Sequence, residues 1–195
     1  VMAQGAGAAS LIGKSAYSLG TPRLLLDLDI MERNIRGMAA FARTHGLLLR
    51  PHVKTHKIPE LARLQVESGA VGVAVATLAE AEEMARAGIQ DIRLANEIVT
   101  EDKAIRLLQV SKRARVSCAV DSPAGARVLS SVFSREGAVL PILIDVDTGL
   151  HRCGVPPGEP VLRLCEGLRG LPGLLIRGVM THAGHAYRAS GPEEV

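Results

Sequence analysis

The chain has 195 residues, 47% of them hydrophobic and only 2% aromatic, with a net charge of +3. That apolar content supports a buried core and excludes a disordered chain, while the lack of aromatic stacking platforms and of a strong basic excess excludes a nucleic-acid binder. No run of 18 apolar residues occurs, so no membrane-spanning helix is expected. In chain order, residues 1–20, with Gly5, Gly7, Gly13 and Gly20 among alanines and serines, read as a flexible leader without the basic start and apolar block of a secretory signal. From residue 22 onward, short β-rich runs alternate with amphipathic segments. Candidate strands are residues 23–27, 47–50, 71–76, 92–95, 115–120, 140–146 and 174–180, several of them apolar on both faces as buried parallel strands are. Met31, Ile35, Met38 and Ala42 repeat at helical spacing behind Asp29 as N-cap. Further helices are predicted over 78–87, 101–113, 124–135 and 159–169, and residues 190–195 read as the start of another.

Strands alternating with helices through short loops predict a parallel α/β fold. A doubly wound sheet would carry a Gly-rich turn after its first strand, where this chain has Asp27-Leu28-Asp29. The expected fold is therefore a (β/α)8 barrel of TIM type. A complete one takes about 250 residues, so the chain reads as truncated. Cys118, Cys153 and Cys165 are odd in number and lack CxxC spacing, which argues for a reducing, cytoplasmic setting and against a disulfide framework or a zinc cluster.

Active sites of such barrels gather at the carboxyl ends of the strands. After 47–50 comes Arg50-Pro51-His52-Val53-Lys54-Thr55-His56-Lys57. A lysine held at a strand end that loses solvent drops its pKa from about 10.4 toward about 7–8 and becomes a nucleophile suited to Schiff-base chemistry. Asn96-Glu97 follows 92–95, the stretch from Asp145 to Gly154 follows 140–146, and Thr181-His182-Ala183-Gly184-His185-Ala186-Tyr187 follows 174–180. Each has a plainer reading. Lys54 alone could be a solvated charge, and His52 and His56 could hydrogen-bond loop backbone. Arg152 could pair with Asp145 or Asp147 to brace a loop. The His182/His185 pair has metal-ligand spacing but no HExxH pattern or matching carboxylate. Cys118 and Cys165 read as core, Cys153 as a small loop filler.

Taken together, residues 21 to about 188 resemble the D-threonine aldolase and D-serine dehydratase group of fold-type III pyridoxal-phosphate enzymes, with alanine racemase a more distant relative. The resemblance is carried by Thr21 to Asp29, Arg50 to Lys57, Ala76-Thr77-Leu78-Ala79-Glu80-Ala81, Asp147 to Val155 and Thr181 to Tyr187. It implies that Lys54 carries pyridoxal 5′-phosphate as a Schiff base. Arg152 matches an arginine that approaches the cofactor's phenolic oxygen and can pair with a substrate carboxylate. His182 matches a histidine against the pyridine ring, with Tyr187, His185 and His52 near the pocket. It further implies that residues 21–28 form a strand of a C-terminal β-domain. Residues 29–195 would then be a partial barrel of about six strands, with the phosphate-holding loops and the ligands of a divalent metal (Mn, Mg or Zn) beyond Val195. The implied activity is a metal-activated lyase for D-β-hydroxy amino acids, most nearly a D-threonine aldolase and a homodimer when full length. Residues 1–195 alone are expected to be inactive. D-serine dehydratase, an amino-acid racemase and a non-catalytic pyridoxal-phosphate carrier stay open as alternatives.

Overall fold

Parallel pairing in chain order defines the sheet of this computed structural model, which describes residues 11–194. The strands are β1 (Val73–Val75), β2 (Asp91–Leu94), β3 (Arg115–Val120), β4 (Leu140–Asp145) and β5 (Leu174–Met180), each hydrogen-bonded to the next. A strand order that always advances in one direction, with the right-handed crossovers that parallel strands take, places the helices between strands on one face, the arrangement of a barrel wall rather than of a doubly wound sheet. The helices are α1 (Leu28–Thr44), α2 (Pro59–Glu67), α3 (Leu78–Arg86), α4 (Glu101–Ser111), α5 (Pro123–Arg135) and α6 (Glu159–Leu168). Between the two layers lies a core in which Ile92, Leu94, Leu107, Leu129, Phe133, Ile142 and Ile144 are fully buried. Strand alternation does the sorting: Ile92 and Leu94 face the helices, while Asp91 and Arg93 between them point to the other side.

Several helices begin where a side-chain oxygen can take an orphan amide. Asp27 accepts from Ile30 N–H at 3.0 Å, Thr77 from Glu80 N–H at 3.3 Å and Ser122 from Gly125 N–H at 3.3 Å. The cap of α1 is thus Asp27, not the expected Asp29, and the helix starts two residues earlier than that cap would allow.

Other differences have equally local causes. Residues 23–27 form no strand: Leu24, Leu25 and Leu26 are exposed, and no described residue pairs with them, whereas a strand needs a ladder partner. Residues 47–50 form none either. Leu49 C=O accepts from Val71 N–H and Pro51 C=O from Ala74 N–H, and a single bridge joins His52 to Ala74 beside β1. Pro51 has no N–H to continue that ladder. Five strands and this one-bridge neighbour stand where six strands were expected. Helix α2 is not among the helices expected from the sequence; Pro59 occupies its first turn, where a missing N–H costs nothing. Residues 192–194 make a 3-10 turn, not an α-helix. Residues 1–10 of the leader and Val195 lie outside the described residues; within 11–20 a 3-10 turn at Ala16–Ser18 has exposed side chains. All three cysteines are free, and no helix among the described residues is long and apolar enough to cross a membrane.

Candidate active site at the strand ends

The carboxyl ends of the strands enclose a cavity of about 490 Å³ lined by His52, Lys54, Arg93, Asn96, Arg152, Thr181 and His182, among others. It unites the turn beside β1, the end of β2, the loop after β4 and the end of β5. Four of the residues singled out in the sequence, Lys54, His52, Arg152 and His182, therefore share one wall. Tyr187 and His185 lie beside the cavity rather than in its lining. Tyr187 is 82% exposed and meets His182 edge-on, ring centroids 5.8 Å apart. His185 packs its ring on Gly149, where any Cβ would stand 3.3 Å from it, and so supports the loop after β4.

Lys54 rides on a 3-10 turn, Val53–Thr55, pinned by the fully buried Val53 and capped by His52, whose Nδ1 accepts the Lys54 N–H at 3.3 Å. Its side chain is exposed, so the loss of solvent expected of it is not seen in this chain. No described residue covers that side of the cavity. Burial lowers the pKa of His52, with the Lys54 charge adding to it. Burial lowers that of His182 as well, helped by Arg152 and Lys54. Both rings therefore favour the neutral form at pH 7, and the charge facing the cavity comes from Lys54, Arg93, Arg152 and Arg50, the last paired with Asp91 at 2.7 Å.

The loop from Asp145 to Val155 folds back on itself. Asp147 N–H donates to Val155 C=O at 2.9 Å and Val155 N–H to Asp145 C=O at 3.0 Å. The Asp147 carboxylate accepts from Gly149 N–H, His151 N–H and His151 Nδ1, and these amides hold its pKa down to about 2. Asp147 is thus committed to the loop itself and Asp145 to Cys153, and neither forms an ion pair with Arg152. Arg152 therefore braces the loop through neither aspartate, and its side chain lies between the Cys153 thiol and the cavity.

Beneath Arg152 lies a cluster the sequence did not bring together. Asp145 is 3% exposed, and the Cys153 thiol donates to its Oδ2 at 3.2 Å. Burial pushes that thiol up to about 11. Glu97 completes the group, one ligand-type atom from each residue lying within 4.8 Å of the others. Burial, with the Asp121 and Asp145 carboxylates adding to it, raises the Glu97 pKa to about 7. Because the folded-state value lies above the ordinary 4.5, the folded protein keeps a proton that the unfolded chain releases. The contribution is full below 4.5 and is lost as pH rises through about 7. Glu97→Gln is expected to add about 1–2 kcal/mol at alkaline pH, discounted for partial exposure, and to flatten the pH dependence of stability. Urea unfolding of both proteins across that pH range checks it.

Residues 26–194 match the family model for the alanine racemase N-terminal domain. The chain belongs to that family. Curated relatives include a D-threonine aldolase of Arthrobacter sp., 38% identical over 93% of this chain and 48% of that protein. A 3-hydroxy-D-aspartate aldolase of Paracoccus denitrificans is 36% identical over 90% of this chain and 46% of its own length. Among solved structures, D-threo-3-hydroxyaspartate dehydratase from Delftia sp. HT23 superposes with a TM-score of 0.82 at 36% identity, covering 90% of this chain and 47% of that one. This alanine racemase N-terminal domain thus spans about half the length of the relatives it matches. Its sequential five-stranded sheet is the TIM-barrel-like α/β fold of the family.

Proposed function

We propose that the whole protein is a pyridoxal-phosphate-dependent lyase for D-β-hydroxy amino acids, and that its reaction is the D-threonine aldolase one, giving glycine and acetaldehyde. The observation that carries this reading is the convergence of the Lys54 amine, the Arg152 guanidinium and the His182 imidazole on one cavity at the strand ends. The donor set suits the cofactor: an amine for its aldehyde, a guanidinium for an anionic oxygen and a neutral imidazole for its ring. When bound, pyridoxal phosphate supplies that aldehyde and an electron-withdrawing ring that accepts the electron pair of the bond being broken.

The protein's own residues do the rest. Lys54 bonds the cofactor, yields it to the substrate amine and, once free, can hold or move a proton at the reacting carbon. Arg152, unpaired with either neighbouring aspartate, orients a carboxylate of the substrate. His182, kept neutral by burial and nearby cations, can contact the ring without adding a charge that would repel Lys54. The reading includes a divalent metal on the substrate hydroxyl, with its ligands assigned to no residue of this chain.

Product analysis of the intact protein with D-threonine, D-serine and L-alanine, with and without chelator, tests it. Glycine with acetaldehyde from D-threonine is the expected result, reduced by chelation. Pyruvate with ammonia from D-serine would instead support the dehydratase reading, favoured by the likeness to the Delftia enzyme. D-alanine from L-alanine would support a racemase, and no product from any of the three a carrier.

A further inference from the structure

A second lysine stands three residues beyond Lys54, and the fold keeps it away from the cavity. Lys57 has a side chain 62% exposed, yet its Nζ lies 3.2 Å from Oε1 of Glu80, which is only 7% exposed. Glu80 sits in the first turn of α3, where Thr77 receives its N–H and its own Oε2 accepts the Ala76 N–H at 2.8 Å. One carboxylate oxygen is thus committed to the end of β1 and the other to Lys57. Burial would raise the Glu80 pKa, but these amides and the Lys57 ammonium together bring it below the ordinary value. The Lys57 backbone is bent to suit. Its φ is +55°, a left-handed conformation a lysine rarely adopts, and its N–H donates to Val53 C=O at 2.8 Å, closing the turn that carries Lys54. Lys57 does not line the cavity; Lys54 does.

We infer that Glu80 decides which lysine of the motif reacts, holding the Lys57 ammonium at the junction of β1 and α3 so that Lys54 alone meets a carbonyl ligand in the cavity. This rests on the reading that Lys54 bonds the cofactor aldehyde. In that step the lone pair of a neutral amine attacks the aldehyde carbon, C=N replaces C=O, and the carbonyl oxygen leaves as water with the two amine hydrogens. An ammonium has no lone pair to give. To react, Lys57 would have to leave Glu80, surrender a proton and strand a buried carboxylate without its cation. Glu80 touches neither ligand nor reacting atoms in this scheme and is a positioning residue.

The test is borohydride reduction of the full-length protein with pyridoxal 5′-phosphate, followed by digestion and mass analysis of the lysine peptides. The unaltered protein is expected to carry the label on Lys54 alone. In Glu80→Gln it should spread to Lys57 in a comparable share. Label confined to Lys54 in folded Glu80→Gln overturns the inference. Where that variant fails to fold, trace acetylation of the unaltered protein without cofactor decides: Lys57 should react about tenfold more slowly than Lys54, the effect of a hydrogen bond between charged groups. Equal rates overturn the inference. Absence of label from Lys54 in the unaltered protein would remove the functional reading instead, and the acetylation rates separate the two failures.

Discussion

Lys54→Ala in the full-length protein is expected to abolish borohydride-fixed labelling by pyridoxal phosphate and to lower turnover by about a thousandfold or more. Among the described residues no other amine lines the cavity to replace the one removed. Stability should hardly change, by less than about 0.5 kcal/mol, because the Lys54 side chain is exposed and the turn beneath it is anchored by Val53 and His52. That contrast gives the prediction its force. A lysine whose loss removes labelling and turnover but leaves the unfolding midpoint alone acts through its amine. Label recovered on Lys14, Lys57, Lys103 or Lys112 instead of Lys54 in the unaltered protein would withdraw the assignment.

Gly154→Ala is expected to destabilise the protein by about 2–3 kcal/mol and to weaken ligand binding in the cavity. Gly154 has φ +94°, and a Cβ there would stand 2.7 Å from Asp147 N and 3.0 Å from Val146 C. Both are backbone atoms, so no side chain can swing aside to make room. The loop would have to open, breaking the hydrogen bond from Asp147 to Val155 and displacing Arg152. Gly158 supplies the control. Its φ of +86° is similarly left-handed, but nothing lies within 4 Å of the added carbon. Gly158→Ala should therefore cost only the backbone preference, about 1 kcal/mol. Equal costs in urea unfolding would show that the close approach at Gly154 carries no energy.

What the sequence makes legible is whatever lies close together along the chain or repeats with a fixed period. The strands at 115–120 and 174–180 match β3 and β5, since strand-like apolar runs bounded by turns are local signals. The grouping of Lys54, Arg152 and His182 follows from one rule, that the ends of successive barrel strands share a rim. Three leucines at 24–26 look like a strand in any window, but pairing needs a partner, and none is found among the described residues. The run before Pro51 fails for one absent N–H, a detail with no periodic signature. The Glu80–Lys57 pair and the Glu97–Asp145–Cys153 cluster join residues from separate βα units. In sequence these are an ordinary first-turn glutamate, a surface lysine and scattered loop residues. Only the register of β1 against its neighbours and the convergence of β2 with β4 bring them into contact.

Each strand of the sheet bonds only to the strands next to it in the chain, so the molecule is built like a row of units, each leaning on its neighbours. In such a row a local defect stays local, and distant units can loosen independently. The cavity departs from that scheme, because its lining comes from the turn beside β1, from β2, from the loop after β4 and from β5. A molecule seated there touches β2 and β5 together, strands that are not paired in the sheet and that meet through the Arg93 guanidinium and the Met180 sulfur at 3.7 Å. Its binding energy is then shared across the row, and the ligand adds a fastening that spans the sheet from side to side.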